Sequence, residues 1–108
     1  MKKLSFILVS LLFATSPLFA QDYARAGAAL SAASEAYKSG DYRAALSSVA
    51  DFEQAMGKAT AYSHYLKIMS YYKLKDYENC KQQAAAYLKT AETDDDYAPE
   101  IRNIFSEL

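Results

Sequence analysis

Cysteine, histidine and tryptophan are almost missing from this chain: one Cys, one His and no Trp in 108 residues. A single cysteine, Cys80, excludes an intramolecular disulfide framework, even in an oxidising compartment that would permit one. The single histidine, His64, sits between Ser63 and Tyr65 with no Cys or carboxylate at ligand spacing, so it offers no basis for a metal centre. Nothing in the sequence sets His64 against Cys80 as a base would have to be set for nucleophilic chemistry. No glycine-rich phosphate loop is present. The acidic run Asp94, Asp95 and Asp96 lacks the alternating spacing and distal Glu of a calcium loop, and reads instead as helix capping and solubility. The expectation is therefore no catalytic constellation, no metal and no cofactor.

The charge balance excludes another class. Twelve basic residues face thirteen acidic ones, and a nucleic-acid or polyanion partner would ask for a basic face. Two of the basic residues, Lys2 and Lys3, open the stretch MKKLSFILVSLLFATSPLFA. Its positive start, its apolar run from Leu4 to Phe13 and its polar break at Ser16 and Pro17 are the three parts of a secretory signal, with cleavage expected after Ala20. A membrane anchor would need about 20 consecutive apolar residues, and Thr15, Ser16 and Pro17 interrupt the run too early. No Cys follows the run, so a lipid anchor is not supported. The reading is a signal peptide over residues 1–20 and one domain over residues 21–108, exported to the periplasm or beyond, with no membrane contact in the mature form. That mature chain has ten basic residues against thirteen acidic ones and all ten tyrosines. A stapleless domain of this size must lean on efficient helix packing or on association.

What the chain has in place of those residues is a duplicated phrase. AYKSGDYRAAL, residues 36–46, returns thirty-five residues later as YYKLKDYENCK, residues 71–81. With Gly40 aligned to Lys75, Tyr37 falls on Tyr72, Lys38 on Lys73, Asp41 on Asp76, Tyr42 on Tyr77 and Ala45 on Cys80. Self-similarity at this period is the mark of a helical solenoid, in which each unit buries one face on the next. Each copy reads as a helix end, a tight turn and a helix start. Gly40 follows the periodic set Ala26, Leu30, Ala33 and Tyr37 and can adopt the left-handed conformation that ends a helix. Asp41 can then cap the next helix, whose apolar face is Tyr42, Ala45, Leu46, Val49 and Phe52.

In the second copy Tyr65, Leu66, Met69 and Tyr72 mark a third helix. Tyr77, Cys80, Ala84, Tyr87 and Leu88 mark a fourth, with Asp76 as N-cap. Lys75 replaces the turn glycine at a cost of roughly 1 kcal/mol. MGKATA, residues 56–61, joins the two units through Gly57, and ETDDDYAPE, residues 92–100, leads to a last helix. Pro99 fits within the first turn of that helix, and Tyr97, Ile101, Ile104, Phe105 and Leu108 are its buried stripe. No segment reads as a strand.

Both copies resemble tetratricopeptide repeats, a family whose signature joins an aromatic and a small residue in the first helix to a Gly-Asp-Tyr turn and a small residue three positions later. Tyr37, Gly40, Asp41, Tyr42, Ala45, Val49 and Phe52 carry the likeness in the first copy; Tyr72, Asp76, Tyr77, Cys80, Ala84 and Tyr87 carry it in the second. It covers residues 26–91. The first helix lacks the usual early aromatic, the second turn lacks its glycine, and the last segment is expected to be a solvating cap helix.

The resemblance implies an all-α fold of two antiparallel hairpins plus a C-terminal cap, a short solenoid working as a protein or peptide interaction module. It also implies a concave groove lined by Leu30, Ser34, Tyr37, Lys38, Tyr62, Tyr65, Met69, Tyr72 and Lys73, with tyrosine and methionine as anchors. Tyr37, Tyr65 and Tyr72 can equally be core residues between helices. Some members grip a partner's C-terminal carboxylate with Lys and Asn; Leu30, Ser34 and Leu66 stand at the matching positions, so that mode is not expected. Cys80, at the small-residue position, is expected to be a buried structural thiol. Lys67, Lys73, Lys75 and Lys81 read as a positive, solvated patch around the second hairpin. With only two full units, a second expectation is an assembly subunit that completes its core on another copy of itself or on a larger partner.

Overall fold

In the computed structural model, residues 22–90 and 95–108 are described; the expected signal segment, residues 1–20, lies outside them. Every regular element among the described residues is helical, and they form the expected all-α solenoid of hairpins. Helix α1 occupies residues 22–39, α2 Tyr42–Met56, α3 Ala61–Lys73, α4 Tyr77–Thr90 and α5 Ala98–Glu107.

The duplicated phrase folds as two equivalent hinges. Gly40 takes φ 85° between α1 and α2, and Lys75 takes φ 63° between α3 and α4. At both, the following aspartate's amide donates back five residues, Asp41 to the Ala36 carbonyl and Asp76 to the Tyr71 carbonyl, each at 2.9 Å. Both aspartates then cap: Asp41 Oδ1 accepts from the Ala44 amide at 3.2 Å and Asp76 Oδ1 from the Asn79 amide at 3.3 Å. These bonds satisfy helix-terminal groups that would otherwise have only water. Lys75 is the only described non-glycine residue with positive φ, so the missing glycine did not change the turn.

Between the hairpins, Gly57 ends α2 at φ 75°. Thr60 and Ser63 start α3 with a reciprocal capping box, Thr60 Oγ1 accepting from the Ser63 amide at 3.1 Å and Ser63 Oγ from the Thr60 amide at 2.9 Å.

Burial repeats with the same offset of thirty-five. Ala33 and Ile68, Ala45 and Cys80, Val49 and Ala84, and Phe52 and Tyr87 are each buried in both copies. The offset runs on into α5: Ser63 answers to Ala98, Leu66 to Ile101 and Met69 to Ile104, all buried. Helix α5 is therefore more than a lid on the array, because it stands where the first helix of a third unit would stand. Its first turn carries Pro99, and Asp95 Oδ1 accepts from the Tyr97 amide at 2.9 Å just ahead of it.

Two apolar clusters result. Ala33, Val49 and Leu66 join α1, α2 and α3, and a larger one joins Ile68 and Met69 to Cys80, Ala84, Tyr87, Ala98, Ile101 and Ile104. Helix α3 contributes to both, which explains why Ile68 and Ser70 are buried on it outside the apolar stripe expected from spacing. Tyr77, expected on the buried stripe of α4, is 48% exposed. It begins its helix at the hinge, where no further element covers it, and it rests edge-on against Tyr72 with ring centroids 6.1 Å apart.

Candidate functional site

The odd-numbered helices stand side by side and share one row of tyrosines. Tyr62 of α3 reaches α1, its hydroxyl 2.9 Å from Ser34 Oγ. It also reaches toward α5, its ring 5.9 Å from that of Tyr97. Tyr65 stacks on Tyr97 at 4.8 Å and lies 6.5 Å from Tyr62. Separations of this kind favour offset and tilted aromatic contact. The three rings thus form one platform, each half-buried. Tyr37 extends it onto α1, packing on Tyr42 at 5.5 Å. Tyr72 extends it along α3.

Two carboxylates border the row. Tyr65 donates to Glu100 Oε2 at 3.1 Å, and Tyr72 donates to Glu107 Oε2 at 3.2 Å. Both pairs are thirty-five residues apart, so they are the same inter-helix contact made twice, two helical turns apart. Burial, then the Glu100 hydrogen bond, holds the Tyr65 hydroxyl well above its ordinary range. The Glu107 bond does the same for Tyr72. Tyr37 is raised by burial, with Tyr42 and Glu100 adding to it. Beside Tyr72 and Glu107, Tyr77 and Leu108 complete a depression of about 310 Å³.

Of the nine residues expected to line a groove, the structure brings most to this face and removes one. Leu30, Ser34, Tyr37, Tyr62, Tyr65 and Tyr72 are half-buried, and Lys38 and Lys73 are exposed. Met69 is 5% exposed and belongs to the larger core cluster, so it does not present itself to a partner. An apolar residue on a helix flanked on both sides is drawn inward, and spacing within that helix alone does not show it. Tyr37, Tyr65 and Tyr72, which the sequence left open between groove and core, pack their rings against the core clusters and keep partly exposed outer edges. Tyr97, Glu100 and Glu107 were missed. Carrying the offset one step further from Tyr62, Tyr65 and Tyr72 lands on those three positions, so the signal was present.

On the other side of the molecule a polar cluster locks α2 to α3. Lys67 Nζ lies 2.6 Å from Glu53 Oε1, and Ser63 Oγ lies 3.2 Å from Glu53 Oε2. Both charged side chains are about one-fifth exposed. Lys67 is thereby withdrawn from the positive patch expected around the second hairpin. His64 stands next to this pair, its ring 5.6 Å from Tyr87 and its Nδ1 buried without a described partner. Burial, with Lys67 adding to it, lowers its pKa, and Glu53 opposes them. Among the described residues no group of three or more His, Cys, Asp or Glu side chains is placed to hold a metal. Cys80 is fully buried, as its position in the repeat led one to expect, and burial raises its thiol pKa.

Compared with the known protein families, with curated proteins and with solved structures, the chain matches none. The tyrosine row therefore has to be read on its own chemistry.

Proposed function

We propose that this protein is a non-enzymatic interaction module that docks a protein or peptide segment along the tyrosine row of α1, α3 and α5. The observation that supports this reading is the platform of Tyr62, Tyr65 and Tyr97, three half-exposed rings within 6.5 Å of one another on α3 and at the start of α5. Tyrosine offers large, rigid contact area with a polar tip at little cost in side-chain entropy, which is why it concentrates binding energy at interfaces. The likeness of the two hinges to tetratricopeptide repeats agrees with such a role. The amino-terminal segment fits export into a bacterial cell envelope, and no described helix is long and apolar enough to cross a membrane.

The test replaces Tyr62 and Tyr65 together by Ala and measures folding by circular dichroism alongside capture of partners by crosslinking in the native cell. Retained helicity with selective loss of one partner supports docking on this face. Lost folding without selective loss of any partner means that the tyrosines serve the core.

A second reading, an assembly subunit, has one observation behind it: a depression of about 450 Å³ between α1 and α2, lined by Ala28, Ala29 and Ala32 with Arg25 and Asp51 at its side. A clean monomer at high concentration in light scattering removes self-assembly.

A further inference from the structure

The hydrogen bonds on the tyrosine face leave its two tyrosine–glutamate pairs rich in acceptors and without a free donor. Tyr65 and Tyr72 spend their hydroxyl protons on Glu100 and Glu107, whereas the Ser34–Tyr62 bond uses only one of that pair's two protons. A carboxylate accepts on both oxygens, and a phenol oxygen that has given its proton can still accept. What Tyr65 with Glu100 and Tyr72 with Glu107 leave toward solvent is therefore carboxylate oxygen, phenol lone pairs and aromatic edges. Each of these favours a cation, and a carboxylate beside a tyrosine ring combines charge with cation–π attraction. Among the described residues neither glutamate has an ion-pair partner: the only ion pairs are Arg25 with Asp22 and Lys67 with Glu53, and Lys38 and Lys73 stay exposed at the rim. Two carboxylates are thus held in place by tyrosine hydroxyls and left without a counter-charge.

Their spacing is a ruler. Glu100 and Glu107 are seven residues apart on one helix, or about 10 Å at the helical rise. A peptide in the polyproline II conformation returns a side chain to the same side every third residue, after about 9 Å. In a β-strand, side chains on one face recur at about 7 or 13 Å, which fits less closely.

We propose that the two tyrosine–glutamate pairs receive two cationic side chains, lysine or arginine, placed three residues apart on a peptide in polyproline II conformation. This rests on the docking reading above and adds to it the chemistry of the ligand. The ammonium or guanidinium of each side chain sits against the free oxygen of Glu100 or Glu107, and the intervening residues lie across the tyrosine rings. Aromatic grooves suit such peptides because their backbone is already ordered before binding.

Fluorescence anisotropy on the purified protein tests it with labelled twelve-residue peptides whose centres read Lys-Pro-Pro-Lys, Glu-Pro-Pro-Glu or Lys-Pro-Lys. The expected result is about tenfold tighter binding of the first than of the other two, weakening as salt rises. Glu100→Gln and Glu107→Gln, each keeping an acceptor for its tyrosine, should each weaken the first peptide about tenfold. Equal binding of the acidic peptide, or no effect of either Gln variant, overturns the cation assignment. In that case, loss of binding in Tyr62→Ala/Tyr65→Ala would leave the docking face standing. Binding of every peptide unaffected by the double tyrosine variant, or binding of none, defeats both readings.

Discussion

Two joints connect successive units of the solenoid, and they use different chemistry at equivalent positions. At the first, between α2 and α3, Glu53 holds Lys67 at 2.6 Å and Ser63 at 3.2 Å. Thirty-five residues on, at the second, the corresponding residues are Leu88, Arg102 and Ala98: Leu88 packs on the large apolar cluster, Arg102 is exposed, and Ala98 is fully buried. Burial repeats at two of the three positions, Ser63 with Ala98 and Glu53 with Leu88; the chemistry repeats at none. A polar joint fixes register, since a slipped helix would leave Glu53 and Lys67 desolvated and unpaired, whereas an apolar joint contributes burial without naming a unique alignment.

Four experiments sharpen or break that contrast. The largest effect is expected at the apolar joint: Ile101→Ala removes a fully buried side chain linking α5 to α3 and α4, and should cost about 3 kcal/mol in urea unfolding. Next is the polar joint. Glu53→Leu alone strands the Lys67 ammonium and should cost about 2 kcal/mol, discounted from a fully buried pair because both side chains keep one-fifth exposure. Adding Lys67→Met should recover most of that loss, and a double variant as unstable as the single one would show that the joint does not tolerate an apolar filling.

The hinges rank third. Lys75→Gly should stabilise by about 1 kcal/mol and Gly40→Lys destabilise by a similar amount, or several degrees in melting temperature for a domain of this size. A side chain at Gly40 would meet no neighbour, so backbone conformation alone is being weighed.

The smallest effect is a pH slope from His64. Its folded pKa lies below the unfolded value of about 6.5, so the unfolded chain binds the proton more readily. Stability contributed by the neutral ring is complete above that value and falls as pH drops through it toward the folded pKa. Thermal melts from pH 7.5 to 5 should show this decline, and His64→Asn should flatten it.

The hinges were readable from the sequence because their chemistry is local. A residue able to take positive φ, followed by an aspartate cap, needs only neighbours in the chain, and both copies carry it even where Lys75 replaces glycine. The third copy of the register was harder to read. Helix α5 shares its burial pattern with α3 but almost none of its residue types: Tyr62 returns as Tyr97, yet Leu66 becomes Ile101, Tyr65 becomes Glu100 and Tyr72 becomes Glu107. The candidate site suffered most from this. Its tyrosines were found by their spacing, while its carboxylates look like ordinary solvated charges until the neighbouring helix is set against them. Met69 erred the other way, because an apolar residue on a groove stripe and one in a core are written alike when the helix is flanked on both sides.

Because α3 meets α5 through contacts offset by thirty-five residues, and the two hinges are separated by the same interval, the molecule has in effect a modular pitch. A duplication of one thirty-five-residue block in the gene would add two helices without shifting any existing neighbour out of phase. The tyrosine face would lengthen by one rung, and a lineage carrying this chain could change the reach of its binding surface in a single genetic event.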